Sequence, residues 1–176
     1  MMTVYHGSAM EVKKPDTQHS SRNLDFGKGF YVTSSQEQAE RWAMRRAAME
    51  GAESAIVNVY EMRQIPDDVA VKSFPEDLSD WIDFVCACRD GQTIYEQFDI
   101  VCGKVANDRV YRVVDFYKNG IWDKARAIRE IRAYEHYDQT AFINQEAITR
   151  LLQFKKSYRV KAFEEVDDDS GKRSDK

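Results

Sequence analysis

The sequence predicts a single α+β domain, and three observations carry that expectation: a length of 176 residues, short strand-like runs near both ends, and a middle dominated by helical spacing. With 43% apolar and 12% aromatic residues against 8 glycines and 3 prolines, the chain holds enough burial to offset its conformational entropy. A disordered or collagen-like polypeptide is thereby excluded.

Taken in order, Thr3, Val4 and Tyr5 read as a short strand that ends in a turn at His6 and Gly7, with His6 facing either solvent or a cleft. Ser8 to Asp25 is polar and irregular, long enough to act as a lid. Phe26-Gly27-Lys28-Gly29 then leads into a strand at Phe30–Thr33; two glycines around one residue supply either positive φ or close backbone approach. Ser35 with Gln38 gives a capping box for a helix whose stripe is Ala39, Trp42, Ala43 and Ala47, stopped by Gly51. Ser54–Tyr60 alternates as a strand. Leu78, Trp81, Ile82, Val85 and Cys86 predict a helix over Asp77–Arg89, ended by Asp90-Gly91, and Phe98–Cys102 reads as a strand. Asn107 or Asp108 caps a helix through Val110, Val113, Val114 and Tyr117 that Asn119-Gly120 stops, and Asp123–Ile131 makes another short helix. Thr140–Ile143 is a strand, Asn144 caps a helix through Ile148, Leu151 and Leu152, and Tyr158–Phe163 closes as a strand. The tail is almost all charge, Ser and Gly, and disorder is expected there.

Charge and motif content remove several classes of function. Twenty-six Lys and Arg against 30 Asp and Glu leave a formal charge of -4, so no whole-domain basic field draws the chain to nucleic acid, although a local patch stays open. Cys86, Cys88 and Cys102 fit neither a disulfide framework nor a zinc site, and reduced core thiols in a cytoplasm are expected. The chain lacks a membrane-length apolar run and the N-terminal pattern of a signal peptide, which predicts a soluble, cytoplasmic protein. The Gly27 and Gly29 pair has the spacing of neither a dinucleotide fingerprint nor a P-loop, and His6, His19 and His136 have no spacing that prescribes a metal.

What remains is His6-Gly7-Ser8 after a strand, Phe26-Gly27-Lys28-Gly29-Phe30-Tyr31 entering a second, and a helix carrying Trp42. This constellation resembles the ADP-ribosyltransferase fold of the poly(ADP-ribose) polymerase type, with its His-Gly-Ser/Thr triplet and Phe-Gly-Lys-Gly turn. Gln139-Thr140-Ala141-Phe142-Ile143-Asn144 stands where those enzymes carry a strand with a catalytic Glu. More narrowly, the chain is similar to a bacterial group, the domain-of-unknown-function family 3990. Five segments carry that likeness in order: Tyr5 to Ser8, Leu24 to Tyr31, Gln38 to Ala43, Gly103 to Asp108, and the Gln139 strand.

The resemblance implies a split antiparallel β-sheet core with a helical middle insertion, one domain over residues 1–165, and a tail over 166–176. It implies NAD as co-substrate without a metal, with His6, Tyr31 and Gln139 catalytic and His6, Gly7, Ser8, Gly29, Tyr31 and Trp42 binding the dinucleotide. His6 would hold the adenosine ribose, the Gly7 backbone the nicotinamide amide, and Tyr31 and Trp42 the two faces of the ring. Cleaving the glycosidic bond develops positive charge on the ribose, which aromatic faces and a nearby carboxylate suit. Gln139 orients a hydroxyl but carries no charge, which favours transfer of one ADP-ribose unit over chain elongation, or loss of catalysis in a non-catalytic NAD, ADP-ribose or protein-binding module. Asp138 points to the opposite face of its strand and Glu146 sits on the next helix, so neither replaces it. The acceptor is a protein or a nucleic acid, and the fold-level analogy extends to a toxin or defence effector with an antitoxin-like partner and no membrane association. Taken singly, His6 also fits a capping histidine, Tyr31 and Trp42 core aromatics, and Gln139 a plain strand residue. Arg41, Arg45 and Arg46 fit a phosphate grip or a solvated face, Asn107-Asp108 a cap or a substrate contact, and Tyr111, Tyr117 and Trp122 core, interface or base-stacking aromatics.

Overall fold

The computed structural model describes residues 1–18, 24–74, 78–105, 108–134 and 137–160. Asp77, Asn107, the side chain of Asp108, His19, His136 and the charged tail lie outside the described residues. The strands are β1 (Met2–Ser8), β2 (Phe30–Val32), β3 (Ile56–Met62), β4 (Val71–Ser73), β5 (Ile100–Lys104), β6 (Asp138–Phe142) and β7 (Leu152–Arg159). The helices are α1 (Gln36–Glu50), α2 (Leu78–Arg89), α3 (Asp108–Lys118), α4 (Lys124–Arg132) and α5 (Gln145–Leu151), with a 3-10 turn at Ile94–Gln97. The domain is α+β, built on two sheets ordered β1-β3-β7 and β2-β6-β5-β4.

Local chemistry fixes the helix ends. The Ser35 side chain accepts from Gln38 N–H at the start of α1, and Gly51 stops it at φ 64°, a left-handed value that costs glycine nothing. Asp123 caps α4 through Arg126 N–H, and Asn144 caps α5 through Glu146 N–H.

Strand limits obey long-range pairing and depart from the sequence pattern. His6 and Gly7 do not form a turn: both lie inside β1, paired with Asn58 and Val57 of β3. The 3-10 turn consumes Phe98, so β5 begins two residues after the expected start. Ile143 falls just outside β6: its N–H still reaches Asp99 O at 2.8 Å, but β5 begins only at Ile100, so the partner strand ends there. Leu152 ends the seven-residue α5 and opens β7, which begins six residues before Tyr158 and pairs with β3 on both sides of a bulge at Lys155. The sheets are not wholly antiparallel either: β4 runs parallel to β5, joined to it by the α2 crossover.

Two larger apolar clusters and a smaller third hold the layers. One packs α2, α3 and α4, through residues such as Trp81, Val85, Val113 and Ile131, onto Val101 and Ala141 of the four-stranded sheet. The other spans both sheets through Val4, Tyr60, Phe30, Val32 and Phe142. On the remaining face, Ala39 and Ala43 of α1 seat against Val57 and Val59.

Candidate functional site

Sheet register dictates where main-chain groups point at the junction of the two sheets. Tyr5 N–H donates to Thr33 O at 2.8 Å and Thr33 N–H returns to Tyr5 O at 3.0 Å, so both residues turn their main-chain groups toward each other. Alternate residues of an antiparallel strand point to opposite sides. His6 therefore turns its backbone toward Asn58 of β3, and Gly7 turns its N–H and C=O toward β2. Extending the Tyr5–Thr33 bridge would pair Gly7 with Tyr31, but among the described residues no bridge forms there. The Tyr31 carbonyl instead accepts from Nδ1 of His6 at 2.7 Å. The sheet splits at this point, and the Gly7 backbone faces the gap.

His6 is defined by that bond. A carbonyl only accepts, so Nδ1 carries the proton and Nε2 is an acceptor with no other hydrogen bond among the described residues. Burial holds the imidazole pKa down to about 4; the Tyr31 bond opposes the shift and the Arg46 charge adds to it. The ring is neutral at pH 7 and stacks on Phe30, centroids 4.3 Å apart.

Tyr31 is pinned across the turn that precedes its strand. Its hydroxyl donates to Gly27 O at 2.7 Å and accepts from Phe26 N–H at 3.1 Å. Burial raises the phenol pKa well above its ordinary value and the Asp25 carboxylate adds to the rise, so the hydroxyl stays protonated. Gly27 meets both roles expected of the turn glycines: it takes φ 82°, and an added Cβ would also lie 2.1 Å from the Tyr95 ring. Gly29 meets only the second, since an added Cβ there would come within 2.6 Å of Phe142 O.

Gln139 lies on β6 opposite Gly103 and is nearly buried. Its Nε2 donates to Lys104 O at 3.2 Å, the same carbonyl that receives Trp81 Nε1 at 3.2 Å, and Oε1 has no partner among the described residues. Since Ala141 pairs with Tyr31, the two-residue period puts Gln139 and Tyr31 on one face of the four-stranded sheet. His6 reaches the same gap from the other face, with Phe30. Asp138 points away from Gln139 and accepts from Ser34 N–H at 3.0 Å and from the Ser34 hydroxyl, and Glu146 is exposed in the first turn of α5.

The remaining candidates sit at the margin. The Ser8 hydroxyl accepts from Met10 N–H at 3.3 Å. Trp42 is half-buried beside the alanine stripe, with the Arg45 guanidinium 5.8 Å from its ring centroid, and among the described residues it stacks on none of the other candidates. Arg41 and Arg46 are engaged by Glu37 and Glu50 on α1. An open concavity of about 700 Å³ lies between Tyr5, Gln36 and Tyr158, and another of about 370 Å³ beside Phe98 and Asn144. Neither contains His6, Gly7, Tyr31, Trp42 or Gln139; His6, Gly7 and Tyr31 flank a gap between strands rather than a bowl, and Trp42 stands apart on α1.

Two features escaped the sequence reading. Asn58, fully buried opposite His6, accepts from Val12 N–H at 2.7 Å and donates to Met10 O at 3.1 Å, and the Tyr60 hydroxyl donates to Val12 O. With the Gln145 amide bonded to Thr17 N–H and Pro15 O at 3.2 Å each, these contacts tie down the stretch from Met10 to Thr17 within the polar segment whose length allows a lid. A polar Asn at an inward position of an otherwise apolar strand was the available signal. The second is Asp25, whose Oδ1 accepts from Arg89 Nε at 3.0 Å and Nη2 at 2.6 Å in a largely buried pair, while the guanidinium lies 4.0 Å from the Tyr111 ring centroid.

All three cysteines are free thiols, and burial raises their pKa, that of Cys88 to about 12. Among the described residues no group of three or more His, Cys, Asp or Glu is arranged to hold a metal ion, and no helix is long and apolar enough to cross a membrane.

In sequence comparison no curated protein matches the chain. A family described as protein of unknown function (DUF3990) matches over residues 2–154, a span that includes His6, the Phe26 to Tyr31 turn and Gln139. With that match running from β1 into β7, the chain belongs to the DUF3990 family.

Proposed function

We propose that the protein is an NAD-dependent mono-ADP-ribosyltransferase, acting in a bacterial cytoplasm as a toxin or defence effector on a protein or nucleic-acid acceptor, with an antitoxin-like protein to restrain it. The observation that carries the reading is the split at Gly7. A backbone donor and acceptor unpaired among the described residues stand there beside a neutral imidazole whose Nε2 accepts. A nicotinamide carboxamide is a matching donor and acceptor pair, and a ribose hydroxyl is the donor that Nε2 lacks. Tyr31 and Trp42 supply aromatic faces for the nicotinamide ring. The C–N glycosidic bond breaks with its electron pair leaving on nicotinamide, positive charge develops on the ribose, and an acceptor nucleophile closes the new bond and releases a proton. Gln139 orients a ribose hydroxyl through Oε1.

Isothermal titration with NAD, with nicotinamide release followed chromatographically in the same sample, tests the reading. Binding with release is expected, and Tyr31→Ala and His6→Ala should abolish release while the protein stays folded. A double variant that still consumes NAD overturns it. One observation favours a second reading, a non-catalytic module that binds NAD, ADP-ribose or a protein: Gln139 supplies no negative charge and spends its amide N–H on Lys104 O. NAD binding without release, unchanged by Gln139→Glu, supports that alternative.

A further inference from the structure

We infer that the outer surface of the α3–α4 hairpin is a docking surface for single-stranded nucleic acid. The binding stands independently of the transferase reading; a role for the bound strand as acceptor of the transfer would rest on that reading.

The hairpin is amphipathic. Val110, Val113 and Val114 of α3 and Ala127 and Ile131 of α4 are buried in the cluster that covers Val101 and Ala141, on the face of the sheet that carries Tyr31 and Gln139. At 100° per residue, the opposite side of α4 presents Arg126, Arg129 and Arg132, and that of α3 presents Arg109, Arg112 and Phe116, all exposed. Five arginines on one small surface stand out in a chain of net charge -4. Arg112, Arg126, Arg129 and Arg132 form no ion pair among the described residues, whereas Lys118 and Lys124 at the hairpin's edge are engaged by Asp90 and Asp83. Of the neighbouring carboxylates among the described residues, Asp123 caps α4, and Asp115 and Glu130 are half-buried.

Aromatic side chains lie between the arginines. Trp122 packs on Phe116 with centroids 4.9 Å apart and carries the Arg126 guanidinium 4.3 Å from its ring centroid, and Arg109 lies 5.8 Å from the Tyr134 centroid. Phe116 is 37% exposed, one of the large apolar side chains left in solvent. Guanidinium groups match phosphate bidentately, and aromatic faces between them stack bases that are not already stacked in a duplex. An acidic protein would use the arginines but leave the rings without a role, so the combination selects a single-stranded polynucleotide.

Fluorescence anisotropy with labelled single-stranded RNA and DNA of about twelve nucleotides, the corresponding duplex and polyglutamate tests the inference on the full chain. Single strands should bind more tightly than duplex or polyglutamate, and the tighter of RNA and DNA identifies the strand. Neutralising three phosphate contacts with Arg126→Gln, Arg129→Gln and Arg132→Gln should flatten the slope of log K against log salt by about 2, at about 0.7 per contact on a single strand. Trp122→Ala should weaken binding about tenfold at constant salt slope. The three arginines are solvent-facing and Trp122 is half-buried against the core cluster, so an unchanged circular dichroism spectrum is required of each variant. Wild-type protein that binds neither strand at low salt, or binding that polyglutamate matches and Trp122→Ala leaves unchanged, overturns the docking surface. Nicotinamide release, read separately, keeps the two conclusions apart: strand binding without release supports the surface and removes the transferase reading, and release without strand binding does the reverse.

Discussion

At the scale of single residues, the site depends on keeping His6 neutral. Its pKa falls from 6.5 to about 4, chiefly through burial, so between those values the unfolded chain binds a proton that the native protein does not. Native stability is therefore fully present above pH 6.5, is lost as pH falls toward 4, and changes no further below it. The shift corresponds to about 3 kcal/mol, and His6→Asn should flatten that part of the stability profile in urea denaturation at pH 7.5 and pH 4. A profile unchanged by the substitution would place the acid sensitivity elsewhere. Gln139 predicts the opposite sensitivity to charge. In Gln139→Glu, a carboxylate meets the Lys104 carbonyl where an amide N–H now donates, so loss of about 1 to 3 kcal/mol is expected at pH 7, relieved when the new carboxyl is protonated in acid. Both residues were legible as candidates because they stand in short ordered motifs. Their partners were not: the Tyr31 carbonyl is 25 residues from His6 and the Lys104 carbonyl 35 from Gln139, and only the folded sheets bring them together.

At the scale of elements, the seating of α1 on β1 explains Gly7 without a ligand. A Cβ there would lie 2.6 Å from Ala43 N and closer still to Ala39 O, both backbone atoms of α1 that cannot step aside alone. Gly7→Ala should cost about 3 kcal/mol in thermal or chemical denaturation, and an equal melting temperature would show that α1 tilts freely. The same geometry separates what the sequence discloses from what it conceals. Helix ends are decided by the nearest residues, so Ser35, Gly51, Asp123, Gly120 and Asn144 could be read directly. A glycine in a strand looks locally like a turn, and the approach of α1, more than thirty residues on, makes it a packing residue instead. β4 is only Val71-Lys72-Ser73, too short to show alternation, and exists because β5 pairs beside it. Strand limits elsewhere shift by about two residues for the same reason: a partner, rather than composition, ends a ladder.

At the scale of the whole molecule, the two sheets are continuous on one face and divided along the backbone. Val4, Tyr60, Phe30, Val32 and Phe142 form one apolar cluster across the junction, so the halves do not part as separate bodies. Between β1 and β2, however, the main-chain connection is the Tyr5–Thr33 bridge, supplemented by the His6 side chain on Tyr31 O. A junction with so few backbone bonds opens at lower free energy than the β1–β3 ladder, which pairs seven residues. Hydrogen exchange should therefore resolve two classes of amide, with Tyr5 and Thr33 exchanging through local opening and Asn58 and Tyr60 only through global unfolding. Removing the His6 bond takes away about 1 kcal/mol from the junction alone, so His6→Ala should speed Tyr5 and Thr33 about fivefold beyond any change shared by the whole protein. Uniform acceleration across both sheets would mean that His6 supports the fold as a whole, and that the gap beside Gly7 has no opening motion of its own through which a dinucleotide could enter.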